Sequence, residues 1–286
     1  MNAYACFLES EAILHLRGPR TVEFLQGQFT GDLRKLSTTR PLHGALCNPQ
    51  GRVITDARLV ALNDDHVLLR LRGSLRDRVA EALHRYAQFS RVDVSAHKAD
   101  RAILGLYGDL DGSLTPPSQD EVLLHDGCVA LSWAPGIAEV IAPAGNEASL
   151  QAIASRLQPG LATHWQASVL KSGHYALEAS DSEQFTPQTL NYDERGLIAF
   201  DKGCYTGQEV VARLHYKGRA KRRLRIFHSA VLAPAEEPLV DSDGSRAGRI
   251  LRCVPASDGY VTAAEIAVDA AAANLHTAAG IALTPA

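Results

Sequence analysis

Lys202-Gly203-Cys204-Tyr205-Thr206-Gly207-Gln208-Glu209 decides how this chain is read. It sits inside Asn191 to Arg213, where glycines at 196, 203 and 207 interrupt otherwise apolar sequence. Glycines this dense mark tight backbone geometry, because a residue without Cβ tolerates conformations and close approaches that others do not. Taken as a loop, the stretch brings its amides near a ligand and presents a thiol, a phenol, an amide and a carboxylate within one turn. That set suits a flat heteroaromatic with several donors and acceptors. The plainer alternative is a surface loop in which Cys204 is an inert small hydrophobe and Glu209 and Arg213, four apart, pair on a helix face. Thiol reactivity needs positive charge or a helix N-terminus nearby, and Lys202 is the available cation.

On either side the chain alternates between strand and helix patterns. Gly18-Pro19 before Val22, Phe24, Leu25 and Phe29 predicts a helix opening near Pro19. Val53 to Leu62 and His66 to Leu71 are β-rich and flank Asn63-Asp64-Asp65, the pattern of an antiparallel hairpin. From Ser74, a predicted N-cap, apolar residues recur at Leu75, Val79, Ala82, Leu83 and Tyr86, one helical face. Val122 to Leu124 and Cys128 to Leu131 flank Asp126-Gly127, a strong hairpin signal, and Leu150, Ile153, Ala154 and Leu157 mark another amphipathic helix.

Beyond Leu224 the texture changes to short β-like runs separated by turn residues: Leu224 to His228, Asp241-Ser242-Asp243-Gly244, Gly248 to Val254 and Gly259 to Ala263. An alanine cluster, Ala270 to Ala273, follows. The reading is an α+β region over residues 1–223, expected to hold two interleaved subdomains, and a small C-terminal β-barrel over 224–286.

Composition narrows the function classes. The 286 residues are 46% hydrophobic, enough for one large core or several smaller ones, and the net charge of -3 provides no global basic field for nucleic acid. Met1 to Arg17 carries Glu9 and Glu11 and lacks the pattern of a signal peptide, and charges break every apolar run short of the about eighteen residues of a membrane span. A soluble, cytoplasmic protein is expected. Five cysteines, odd in number, with no C-x-x-C pair and no H-E-x-x-H among the histidines, predict a reducing compartment and no bound metal.

The eight residues from Lys202 to Glu209 resemble the signature of the YgfZ family. Pro187-Gln188, Asn191, Gly196-Leu197-Ile198-Ala199-Phe200 and Val211-Ala212-Arg213 around them agree. Phe24-Leu25-Gln26-Gly27-Gln28-Phe29-Thr30-Gly31-Asp32 and Leu46-Cys47-Asn48-Pro49-Gln50-Gly51-Arg52 are similar to this family and to the glycine-cleavage T-protein. The resemblance implies a GcvT/YgfZ-like multi-domain cloverleaf that binds tetrahydrofolate, or a one-carbon or polyglutamylated derivative, near its centre. It also implies a role in making or repairing iron–sulfur enzymes, tRNA methylthiotransferases among them. Carried over by position, Cys204 is the functional cysteine, with Lys202, Tyr205, Gln208 and Glu209 shaping its loop.

A T-protein aminomethyltransferase is the alternative. Against it, the acidic pair that family carries after its Asn-x-x-Gly turn corresponds here to Thr55-Asp56, and the acidic residue expected at the pterin edge corresponds to Lys171. Asp56 is equally a folate partner or a solvent-facing carboxylate, and Asn48-Pro49-Gln50-Gly51 is foremost a turn. Lys217, Arg219, Lys221, Arg222, Arg223 and Arg225 form the main electropositive run. Arg223 is its candidate folate contact, through a polyglutamate tail. A solvated connector ranks second, with Leu224 and Ile226 pointing into the barrel. Direct tRNA binding ranks third, since only Tyr216 supplies an aromatic nearby.

Overall fold

The computed structural model describes residues 2–96, 101–110, 114–270 and 275–286; Ala271–Ala273 of the alanine cluster lie outside the described residues. Three bodies meet: two sheets and a closed barrel. The chain starts in the first sheet with β1 (Ala3–Phe7) and crosses to build the second from β2 (Glu11–Arg17), β3 (Leu42–Cys47), β4 (Val53–Asn63), β5 (His66–Arg72) and β6 (Asp93–Ser95). It then returns to complete the first sheet with β7 (Arg101–Gly108), β8 (Val122–His125), β9 (Cys128–Ala134), β10 (Ile137–Pro143) and β11 (Gln158–Pro159). The barrel consists of β12 (Arg222–Ser229), β13 (Pro238–Val240), β14 (Arg246–Ala256), β15 (Gly259–Ala267), β16 (Leu275–Thr277) and β17 (Ala282–Pro285). Helices α1 (Thr21–Gln26), α2 (Arg76–Ala87), α3 (Glu147–Ala154), α4 (Ala162–Lys171) and α5 (Gln208–Lys217) fill the connections. The α+β architecture and the C-terminal barrel agree with the sequence reading. No helix among the described residues is long and apolar enough to cross a membrane.

The two sheets face each other. Ile13, Val60 and Leu68 of the second meet Ile103, Val129, Leu131 and Ile141 of the first, while Leu59, Leu69 and Leu71 on the other side of β4 and β5 enter a larger core with α1 and α2. β4 is buried on both faces along nearly all of its length, and its polar residues Thr55, Asp56 and Arg58 are buried with it, each hydrogen-bonded. Both hairpins pair as the sequence predicts, and Asp126-Gly127 turns with φ of 48° and 74°, the positive values that a two-residue hairpin turn requires.

Three local expectations are corrected. Ser74 does not cap α2: a 3-10 turn over Gly73–Leu75 precedes the helix, and the Ser74 hydroxyl instead donates to Glu178 and accepts from the Ala179 amide. Tyr86 is half exposed, because the buried stripe runs Leu75, Val79, Leu83, Ala87. Each four-residue step advances about 40° around a helix, so the stripe has rotated away from Tyr86 by the last turn. Leu224 and Ile226 point out of the barrel and into the main core beside Ala167, Leu170 and Val261, whereas Phe227, of opposite parity, fills the barrel. The outer wall of β12 is itself an interface, so both of its faces carry apolar residues. Leu224→Ala is therefore expected to cost about 2–5 kcal/mol, the range for deleting a buried leucine, read by urea denaturation; a cost near zero would contradict this facing.

Candidate functional site

Residues 172–207 run between α4 and α5 with neither helix nor strand and are held by bonds to neighbouring elements. The Val53 amide donates to Phe185 O and the Glu183 amide to Val53 O; the Ala199 amide donates to Thr30 O and the Thr206 amide to Gly27 O. Long irregular segments inside compact proteins are commonly functional. This one builds both a surface loop and one wall of a central cavity.

At the surface loop the three motif segments converge. Asn48–Gly51 is the expected turn, closed by the Gly51 amide on Asn48 O and by the Arg52 amide on the Asn48 side chain. Gly207, with φ of 83°, lies so close that a Cβ there would sit 2.4 Å from Asn48 O. Lys202 turns inward, and its ammonium donates to the carbonyls of Gln26, Phe29 and Gly31, each at 2.7 Å. Burial pulls its pKa down, to about 8, against the three acceptors that favour the proton. Its charge is thus committed to pinning the loop and is not held out beside the thiol. Tyr205 is also buried, its hydroxyl without a partner among the described residues and its pKa raised by desolvation. Cys204 alone of the five cysteines is exposed. Gln208 and Glu209 form the first turn of α5, not part of the loop, and no ion pair joins Glu209 to Arg213 among the described residues.

Arg223 makes a paired contact with Asp193, at 2.7 and 2.9 Å, and donates to Gln188 O at 3.0 Å. It fastens the barrel to the irregular segment. None of the basic run borders the central cavity.

That cavity lies where the two sheets, α4 and the barrel meet, and is small, about 60 Å³. Trp133 and Trp165, the chain's two tryptophans, line it edge to face with ring centres 6.1 Å apart. Arg70 lies over both rings and pairs with the buried carboxylates of Glu11 and Glu139, each at 2.9 Å. Arg58 covers Trp133 at 4.9 Å. His174 lines the cavity and stacks on His43 behind it, at 5.3 Å. His174 Nε2 lies 2.7 Å from the Arg195 guanidinium, and His43 Nε2 lies 3.1 Å from Asp56. Asp56 also accepts from the Leu177 amide, so it is a buried carboxylate next to the cavity wall and not a solvent-facing one. Lys171 lies elsewhere, in a groove with Tyr107 and His228. Trp133 Nε1 is buried with no acceptor among the described residues.

Apart from Asp56, sequence reasoning missed this cluster. His43, Arg58, Arg70, Trp133, Trp165, His174 and Arg195 come from separate elements and share no motif. The one available signal was that a chain with only two tryptophans brings both to one place.

Against solved structures, the chain resembles the glycine cleavage system aminomethyltransferase T from Bartonella henselae, with a TM-score of 0.78 and 19% identity over 99% of this chain and 85% of that one. The likeness defines the fold class as that of the aminomethyltransferase T proteins. Among curated sequences, the tRNA-modifying protein YgfZ of Shigella boydii is 30% identical over 271 residues, 89% of this chain and 82% of the relative. The protein of the same name from Enterobacter sp. is 31% identical with the same coverage. The chain belongs to the YgfZ family. No protein-family model matches it.

Two outcomes follow from these environments. A thiol reagent should modify one cysteine rapidly in the folded protein, and Cys204→Ala should remove that reaction; an unchanged rapid phase would show that another thiol is accessible. Burial, the leading cause, holds His174 far below an ordinary histidine and also lowers His43, despite Asp56. A histidine lowered on folding leaves stability intact above the unfolded value near 6.5, and stability is lost as pH falls below it, because the unfolded chain takes up a proton that the folded chain refuses. Between pH 6.5 and 5 His174 is expected to remove up to about 1.4 kcal/mol per pH unit, with His43 acting in the same direction. Denaturation midpoints should show a loss that flattens in His43→Gln/His174→Gln, and a slope unaltered by that pair would assign the loss elsewhere.

Proposed function

We propose that this protein binds a reduced folate, tetrahydrofolate or a one-carbon derivative, in the central cavity. Through the exposed Cys204 it supports the assembly or repair of iron–sulfur enzymes and thereby the methylthiolation of tRNA. The observation that carries the folate reading is the buried Trp133 N–H, left without an acceptor in a wall of aromatic rings and guanidinium groups. A buried donor costs free energy unless a partner arrives. A pterin supplies ring nitrogen and carbonyl acceptors on a flat surface that Trp133, Trp165 and His174 can contact once they part, since the space between them, about 60 Å³, is smaller than the ring system. Arg70 and Arg252 also line the cavity, but Glu11, Glu139 and Asp181 pair with them, so a folate carboxylate would have to share or displace those partners. The tRNA side of the reading comes from the name of the curated relatives.

An aminomethyl- or methyltransferase is the second reading, favoured by one feature: the Asp56 carboxylate is buried next to the cavity wall and hydrogen-bonded to His43. In that case Asp56→Asn abolishes transfer while leaving folate binding measurable.

Both tryptophans line the cavity, so folate binding has a direct signal. Titration with tetrahydrofolate is expected to quench intrinsic fluorescence saturably, equally in wild type and Cys204→Ala, with Trp133→Phe weakening affinity about tenfold, the order expected for losing one buried hydrogen bond. Absence of quenching and of heat in calorimetry would reject the folate site. Cells carrying Cys204→Ala should then lose methylthiolated nucleosides despite normal folate binding; unchanged nucleosides would remove Cys204 from the function.

A further inference from the structure

The surface beside the Cys204 loop has more aromatic character than its sequence suggests. Phe200 and His215 stack at 3.7 Å with an interplanar angle of 15°, and Tyr216 meets His215 edge-on at 4.8 Å and Phe200 at 6.1 Å. Phe200 is half-buried on the irregular segment, while His215 and Tyr216 are exposed at the end of α5, Tyr216 by 67%. Folding therefore gathers three rings where the linear sequence offers one. Phe200 and Tyr216 also form one side of an open groove whose floor is Gly196, Ile198 and Ala199. Lys35 stands on its rim.

The charges around these rings are uncommitted. Arg213, Lys217, Arg219 and Lys221 are exposed and none of them has an ion pair among the described residues, in contrast to Arg222 and Arg223, which pair with Glu265 and Asp193. Of the acidic residues here, Asp32 is bound by Arg34 and Gln26, and Asp201 and Glu209 are exposed. A chain of net charge -3 thus keeps a strip of free cations along one helix end and the following turn.

We infer that this strip is a binding surface for single-stranded RNA, with bases stacking on the Phe200–His215–Tyr216 rings and phosphates running along Arg213, Lys217, Arg219 and Lys221. Stacking platforms edged by cations track single strands with little sequence preference, because every base offers a π-face and every nucleotide a phosphate. Cys204 lies in the same irregular segment as Phe200, four residues on. The inference deepens the tRNA side of the proposed function and is independent of its folate side.

The test is binding of an unmodified tRNA transcript and of a single-stranded oligoribonucleotide to the full chain without folate, over a range of salt concentrations. Lys217→Gln/Arg219→Gln/Lys221→Gln is expected to weaken binding and to lower the slope of log affinity against log salt by about two, at about 0.7 per phosphate contact. Tyr216→Ala is expected to weaken binding about tenfold with the slope unchanged, as loss of stacking alone would. The substituted side chains are exposed, so thermal unfolding should stay at the wild-type temperature and folate quenching should persist. No RNA binding at about 50 mM salt, or binding unchanged in both variants, overturns the proposal; in the first case an acidic protein surface becomes the occupant to seek. Folate failure with RNA binding intact would sink only the cavity reading.

Discussion

Residues 172–207 cross the middle of the molecule without forming a helix or strand, and the rest of the structure depends on how their backbone is satisfied. Buried amides and carbonyls must find partners, and with no ladder of its own this segment takes them from β4, from the loop after α1 and from α4. The barrel joins the same system: the Leu224 amide donates to Thr189 O, and Arg223 grips Asp193 and Gln188. The segment acts as a mortar whose position is dictated by three bodies at once. That is why it can hold a cavity wall at His174 and Ala176 and a surface loop at Cys204 with equal definition.

Lys202 shows the same logic on the scale of one side chain. An ammonium is strongly hydrated, and burying one is costly unless its donors are met. Three carbonyls converge on this one, from Gln26, Phe29 and Gly31, so the lysine ties the loop to the strand of chain after α1. Its neighbour Cys204 is left outside, on a backbone that cannot easily shift.

The cavity and the end of α5 are electrostatically opposite in kind. In the cavity, Arg70 is compensated by Glu11 and Glu139 and burial lowers the pKa of His174, so the wall offers ring faces and unmet N–H groups more than free charge. At the end of α5 the cations are exposed and uncompensated, an arrangement that attracts a polyanion from a distance and loses strength with salt.

Much of the fold was legible because it rests on local rules. Alternation gave the β4–β5 hairpin, Asp126-Gly127 the β8–β9 turn, and the change of texture near Leu224 the barrel, since strand period and turn chemistry act over a few neighbouring residues. The eight residues from Lys202 to Glu209 also carried the family, and with it Cys204. Where local rules ended, the reading erred: Leu224 was assigned to the barrel interior because period two says which residues share a face, not which face is inside. The sequence placed Lys202 in the loop around Cys204 and Arg223 at a folate tail, but their partners, more than a hundred residues away for the one and some thirty for the other, leave no mark on the adjacent sequence. His43, Arg70, Trp133, Trp165 and His174 had no motif at all, and Phe200 and His215 reach Tyr216 only once the segment before α5 is folded back on it. The sequence by itself determined the elements, the family and the exposed cysteine's loop. Only the tertiary structure decided which charges are neutralised, which rings meet and where the cavity lies, because those depend on contacts between residues far apart in the chain.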